Sequence, residues 1–180
     1  DINFRTIENC KVKGFANKFR FSNAICSMNE SGGSVIGCES HLSIQAPGIN
    51  GSNYDGMVKF NKGEIIACLD ASIPSTTFAS AVCFQNGDFE YSSDISISGF
   101  IYYCMDKVDF SNSNKQSIYN MSGVVDVTTY DADDAQNQVN ALNSNLQYLY
   151  INNSWSYTLY RFKYDSSNAK NPVSVAPYTN

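Results

Sequence analysis

The sequence predicts a mostly-β α+β fold: an antiparallel β-sheet or sandwich carrying one amphipathic helix at about residues 132–150, stapled by disulfides. Three observations predict it. First, 21 Asn, 24 Ser, 12 Tyr and 11 Phe stand against 12 Lys plus Arg, a composition rich in strand and turn formers. Second, Asn86-Gly87 separates two β-prone runs, Phe78–Gln85 and Asp88–Tyr91, and Asn-Gly is a strong hairpin signal because both central residues of a type I′ turn need φ > 0. Third, six cysteines, Cys10, Cys26, Cys38, Cys68, Cys83 and Cys104, occur without a CxxC spacing and beside one histidine. That pattern suits a disulfide framework better than a zinc site.

Taken in order, the chain begins with apolar residues Ile2, Phe4, Ile7, Phe15, Phe19, Phe21 and Ile25. Phe19-Arg20-Phe21 alternates as a half-buried strand does. Arg5, Lys11, Lys13, Lys18 and Arg20 cluster here, the pattern of a solvated edge strand or of a contact with an anionic surface. Asn29–Gly33 and residues 47–55 read as loops. Met57–Phe60 and Glu64–Leu69 flank Asn61-Lys62-Gly63 as a second hairpin, and Ile95–Cys104 adds a third strand to the central meander. No internal repeat stands out.

Beyond the polar stretch Lys107–Ser117, Ile118–Tyr119 and Val124–Thr129 read as strand. The period then changes. Ala135, Val139, Leu142, Leu146 and Leu149 recur at steps of four and three, which makes one apolar helical stripe. Asp131, Asp133 and Asp134 stand where a helix start wants carboxylates. From residue 154 the period returns to two: Trp155, Tyr157 and Leu159 point one way, Tyr160, Phe162 and Tyr164 the other. The tail from Asp165 is polar and frays or straps across the surface. The whole reads as one domain over 1–180, with a disulfide-tied β part at 1–107 and a strand–helix–strand part at 108–180.

The net charge of −5 argues against a nucleic-acid partner. No apolar run approaches the ~20 residues of a membrane span. Residue 1 is Asp with no leader before it, so the chain reads as a mature product of an oxidising compartment, secreted or on a cell or virion surface. Four Asn-x-Ser sequons, at Asn29, Asn50, Asn120 and Asn152, match what the composition yields by chance, so they permit a glycoprotein without arguing for one.

Chemistry has few handholds. His41 follows Ser40 but no nucleophile elbow surrounds them. Glu64, Asp88 and Glu90 are candidates for a carboxylate pair in a polysaccharide hydrolase. Asp126, Asp131, Asp133 and Asp134 lack the spacing of a calcium loop. No catalytic residue, metal or cofactor is expected. The aromatics are more suggestive: Tyr102, Tyr148, Tyr150, Trp155 and Tyr157 concentrate near one helix end and two strands, and such rings supply rigid contact area at binding surfaces. The expectation is a surface-exposed binding module, an adhesin or attachment domain for a glycan or partner protein. A hydrolase is the alternative, and a fibre or coat subunit that self-associates through an exposed strand edge is a third reading.

Overall fold

A computed structural model of the chain describes residues 1–17, 21–46, 51–87, 99–153 and 155–179. Its strands are laid down as successive coils. The first coil holds β1 (Ile2–Asn3), β2 (Thr6–Glu8), β3 (Lys11–Asn17) and β4 (Phe21–Ser22). The second holds β5 (Cys26–Asn29), β6 (Ser34–Ile36), β7 (Glu39–Gln45) and β8 (Asn53–Tyr54). The third holds β9 (Val58–Asn61), β10 (Glu64–Ile66), β11 (Leu69–Asp70), β12 (Ile73–Ser75) and β13 (Phe78–Ala79). The fourth holds β14 (Cys83–Gln85), β15 (Phe100–Tyr102), β16 (Cys104–Asp106) and β17 (Asn114–Lys115). A fifth, partial coil touches through isolated bridges at Tyr119 and Val124 and then through β18 (Val127–Thr129).

Every pairing among these strands is parallel. Thr6 pairs with Ser34, Ser34 with Glu64 and Glu64 with Phe100. Lys11, Glu39, Leu69, Met105 and Thr128 form the next column in the same way. A step of roughly 30 residues per coil makes this a parallel β-solenoid. The antiparallel sheet or sandwich is therefore corrected. Asn61-Lys62-Gly63 is a corner between two sheets rather than a hairpin turn, because β9 and β10 each pair with the coils above and below. Before Asn86, β14 pairs with β9 of the coil below and bridges to Tyr119 of the coil above. Residues 88–98, which include the Asp88–Tyr91 run, Glu90 and the start of Ile95–Cys104, lie outside the described residues, as do Lys18, Arg20 and Asn50.

Columns of like residues hold the coils in register. Asn3 donates to Asn29, Asn29 to Asn61 and Asn61 to Asn86, each at 2.8 Å. The other amide hydrogens go to backbone carbonyls at the corner: Asn29 to Glu64 O at 3.1 Å, Asn86 to Gly99 O at 2.8 Å. A buried amide so placed meets its own donors and acceptors and polarises its neighbours. Beside it, Gly33, Gly63 and Gly99 stack so closely that a Cβ on Gly63 would lie 2.1 Å from Gly33 O.

The disulfide framework is also corrected: all six cysteines are free thiols. Cys10, Cys38, Cys68 and Cys104 occupy one position on four successive coils. Each inner thiol donates to carbonyls instead of bonding to sulfur. Cys38 reaches Ile36 O at 3.4 Å and Ile7 O at 3.7 Å, and Cys68 reaches Ile66 O at 3.4 Å and Val35 O at 3.5 Å. Cys26 and Cys83 sit two coils apart with Val58 between them. The sulfurs thus lend no support to an oxidising compartment, and no observation supports adhesion or glycosylation.

One corner bends sharply: Asn9, Gly37, Ala67 and Tyr103 all take left-handed φ between 51° and 59°. Against this corner packs the C-terminal strap. Helix α1 (Ala135–Asn153) buries Ala135, Val139, Leu142 and Leu146. The one antiparallel pair among the described residues, β19 (Tyr160–Tyr164) with β20 (Val173–Pro177), buries Tyr160, Phe162, Val173 and Val175. They share a core with Ile36, Ile66, Leu69 and Met105 of the solenoid. Within the tail, Val173–Pro177 is thereby strapped onto the core as a paired strand, whereas residues 165–171 are exposed. No helix among the described residues is long and apolar enough to cross a membrane.

Candidate functional site

Strands β2, β6, β10 and β15 alternate as their pleat requires. Ile7, Val35, Ile65 and Ile101 point into the solenoid, where the last three are fully buried. Two columns point out. Glu8, Ile36, Ile66 and Tyr102 form the column that the strap covers: Tyr160 Oη donates to Glu8 Oε1 at 3.0 Å, and Trp155 meets the Tyr102 ring edge-on at 5.4 Å. Thr6, Ser34, Glu64 and Phe100 form the other column, which the strap meets at Ser34 through Tyr157 and leaves open at Phe100.

The strap and that column bound a cavity of about 340 Å³, lined by Ser34, Lys62, Glu64, Phe100, Tyr157 and the glycine-rich turn Ser31-Gly32-Gly33. Phe100 and Tyr157 are its aromatic lining, and further rings pack against them. Phe100 stacks on Tyr102 at 5.7 Å and an interplanar angle of 11°. Trp155 then contacts Tyr150 at 5.6 Å and Tyr157 at 6.0 Å, both edge-on. Phe100 remains 47% exposed, so this face is available to a ligand. The floor is polar. Ser34 Oγ meets Tyr157 Oη at 3.1 Å and Glu64 Oε2 at 3.5 Å. Burial pushes the Glu64 carboxyl above its ordinary range, against the hydrogen bonds of Ser34 and Tyr157. Lys62 is held at the rim by Glu30 at 2.6 Å.

The structure gathers four of the five aromatics singled out from the sequence: Tyr102, Tyr150, Trp155 and Tyr157. Tyr148 stands apart, 69% exposed on the helix. Tyr150 is turned inward, its hydroxyl donating to Thr158 O. Phe100 was missed, although Phe100-Ile101-Tyr102 alternates and puts Phe100 on the face of Tyr102. Among the described lining residues Glu64 is the one carboxylate, whereas glycoside hydrolysis uses two.

The other candidates have structural partners. His41 Nε2 lies 2.9 Å from Glu39 Oε2, and Lys11 Nζ lies 2.8 Å from Glu39 Oε1. Burial pushes the Glu39 carboxyl up, but His41, Lys11 and the Val175 N–H together hold it below its ordinary value. Ser40, the nucleophile paired with His41 in sequence, points the opposite way, into the solenoid, where its Oγ meets Ser72 at 2.8 Å. Asp131 Oδ1 accepts the Asp133 N–H at 3.0 Å and Asp134 Oδ1 accepts from Asn137 at 2.7 Å. No three metal-ligating side chains converge among the described residues.

Comparison with family models, with curated proteins and with solved structures finds no match for this chain.

Proposed function

We propose that the chain is a binding module whose lateral groove takes a neutral glycan. The observation that carries this reading is the juxtaposition of the half-exposed Phe100 ring, backed by Tyr102, with the Ser34–Glu64–Tyr157 hydrogen-bond chain in one cavity. A sugar has apolar C–H faces and hydroxyl edges. Rings serve the faces; a carboxylate, two hydroxyls and turn amides serve the edges. The column of Thr6, Ser34, Glu64 and Phe100 runs along the solenoid axis at roughly 4.8 Å per coil, which favours an extended chain over a compact ligand. Glu64 disfavours acidic sugars by like-charge repulsion once it is ionised.

Trp155 is the only tryptophan and packs edge-on against the lining residue Tyr157 at 6.0 Å, so a ligand that shifts Tyr157 changes its fluorescence. Titration with a panel of neutral oligosaccharides is expected to give a saturable change for at least one of them. Phe100→Ala should weaken that binding about tenfold, the equivalent of roughly 1.4 kcal/mol, without moving the unfolding midpoint. Absence of a saturable change across the panel, or binding indifferent to Phe100→Ala, would remove the reading.

A further inference from the structure

The outer face of the β19–β20 pair is cationic. Tyr160 and Phe162 are buried in the core, so the pleat sends Arg161 and Lys163 the other way. The antiparallel register sets Ala176 across from Arg161 and Ser174 across from Lys163. Neither residue carries charge, and nor do the elements around them. Helix α1 has no charged residue from Ala135 to Asn153, and β20 has none from Val173 to Pro177. Asp165, just past β19, is engaged by its own turn: its Oδ1 accepts the Ser167 N–H at 2.9 Å and the Ser167 hydroxyl at 2.6 Å. Four lysines of the solenoid show the contrast. Lys11, Lys59, Lys62 and Lys115 each lie within 3.1 Å of a carboxylate oxygen. In a chain of net charge −5, Arg161 and Lys163 make no such ion pair among the described residues.

Arg161 is held in place without being neutralised. Its guanidinium lies over the Tyr178 ring at 3.7 Å, and the Tyr178 N–H donates to Leu159 O at 2.8 Å, which fixes the segment carrying that ring. Arg161 Nη2 donates to Gln147 Oε1 at 3.0 Å, while the Nε–H is buried with no acceptor. Stacking occupies the face of a guanidinium and leaves its edges, and the edges are what bind oxyanions. A cavity of about 310 Å³ opens beside this group, with Asn143, Arg161, Lys163, Pro177, Tyr178 and Thr179 in its lining. Both cations line it and no carboxylate does. Asn143 is spent on the strand, accepting the Phe162 N–H at 2.8 Å and donating to Phe162 O at 2.9 Å, so that wall is fixed.

We infer that this cavity is a second ligand site, which shares no lining residue with the lateral groove, and that it takes a small phosphate monoester. Two cations without a counter-ion match the near-dianion that such an ester carries at neutral pH. A carboxylate or a phosphodiester leaves one positive charge uncompensated. The guanidinium edge suits phosphoryl oxygens held in a plane, and the Lys163 ammonium acts as a point charge on another oxygen. The volume stands at the low end of small-molecule sites, which leaves room beside the phosphoryl group, against Pro177 and Thr179, for the body of the ester.

Isothermal titration calorimetry of the full chain tests this with glycerol 3-phosphate and phenyl phosphate as esters, and with inorganic phosphate, dimethyl phosphate and acetate beside them. At least one ester is expected to bind saturably. The monoanions dimethyl phosphate and acetate should bind about tenfold more weakly or not at all, and inorganic phosphate more weakly than the ester. Lys163→Gln should weaken ester binding about tenfold. Its side chain is exposed, and an unchanged unfolding midpoint verifies the fold. Arg161→Lys keeps the charge and loses the planar edge, and should weaken binding by at least as much. Phe100→Ala should leave ester binding unchanged, because Phe100 lines the lateral groove alone. No saturable heat from either ester at millimolar concentration overturns the inference. So does binding of inorganic phosphate or of the monoanions as tight as that of the ester, which would mean an adventitious ion only. Ester binding that ignores Lys163→Gln, or that Phe100→Ala abolishes, overturns it too.

Discussion

The solenoid and the strap bury comparable kinds of surface by different rules. The strap follows periodicity: α1 places Val139, Leu142 and Leu146 on one stripe, and a partner of similar size at any of these sites can repack. The solenoid follows identity. Asn61 is held because Asn29 and Asn86 are Asn, and Gly63 because the carbonyl of Gly33 is 2.1 Å from where a Cβ would stand. A rung therefore depends on the coils below and above it, and a single change is felt at three levels of the stack. The strap spreads its stabilisation over many interchangeable contacts; the solenoid concentrates it in a few positions that admit one residue type.

The largest expected effect tests that contrast. Gly63→Ala must displace the Gly33 carbonyl, the Glu30 carbonyl and the Asn29 amide together. Loss of cooperative folding is expected, read as an absent or non-cooperative thermal transition. A cooperative transition near the wild-type midpoint would show that the corner is looser than its geometry implies. In the strap, Leu146→Ala removes a fully buried side chain and should cost about 2–5 kcal/mol in denaturant unfolding, while the lateral cavity beside Glu64 is retained.

The same contrast explains what the sequence revealed. The helix was legible because its stripe is local: a reading of about 132–150 lies within a few residues of Ala135–Asn153. The alternation of Tyr160, Phe162 and Tyr164 was legible for the same reason, and β19 carries it. The solenoid was not, because its repeat is carried by single residues separated by coils of unequal length. Asn3, Asn29, Asn61 and Asn86 form one ladder, yet among 21 Asn they do not stand out. Cys10, Cys38, Cys68 and Cys104 were the more visible column. Their spacing suggests cross-linking, since cysteines in register along a solenoid and cysteines paired in bridges look alike until the backbone is known. Asn86-Gly87 is a further example. Asn86 accepts from Asn61 in the ladder, a contact between coils that no pattern around the dipeptide encodes. Within the groove, the aromatics were legible as a composition bias. Glu64 and Phe100 joined them only through parallel register, which no local pattern encodes.

A smaller effect is expected inside the solenoid at Tyr54. Its hydroxyl donates to both oxygens of the fully buried Asp70, at 3.1 and 3.0 Å. Asp70 also accepts the Val82 N–H at 3.2 Å, and Val82 is a β-branched residue at φ 61°. Burial raises the Asp70 carboxyl to about 6. A raised acid stabilises the fold below its unfolded value and loses that contribution as pH rises through about 6. Above that pH the carboxylate depends on its donors. Tyr54→Phe should therefore cost about 1–3 kcal/mol, with the larger loss above neutrality and the smaller in mild acid. A loss independent of pH would mean that Asp70 does not ionise in the folded protein.

The smallest effect separates a ladder of thiols from a set of bridges. Denatured without reductant, the chain should yield six titratable thiols; fewer would mean that sulfur–sulfur bonds form after all. In the dilute native protein, Cys10 alone should react with a thiol reagent on a short timescale, because the other five are buried. It should react slowly at neutral pH, since burial and the nearby Cys38 hold its thiol above the ordinary value, and faster as the solution is made alkaline. The inner members should resist until the coils part. Cys38 and Cys68 ionise far less readily than a free thiol, Cys38 chiefly through its contact with Cys68 and Cys68 chiefly through burial. Their labelling rate then measures opening of the solenoid, and it should follow the rate of unfolding rather than the reagent concentration. Equal reactivity of Cys10 and Cys68 in the native state would place the instability in the solenoid and not in the strap, the reverse of the order that the packing implies.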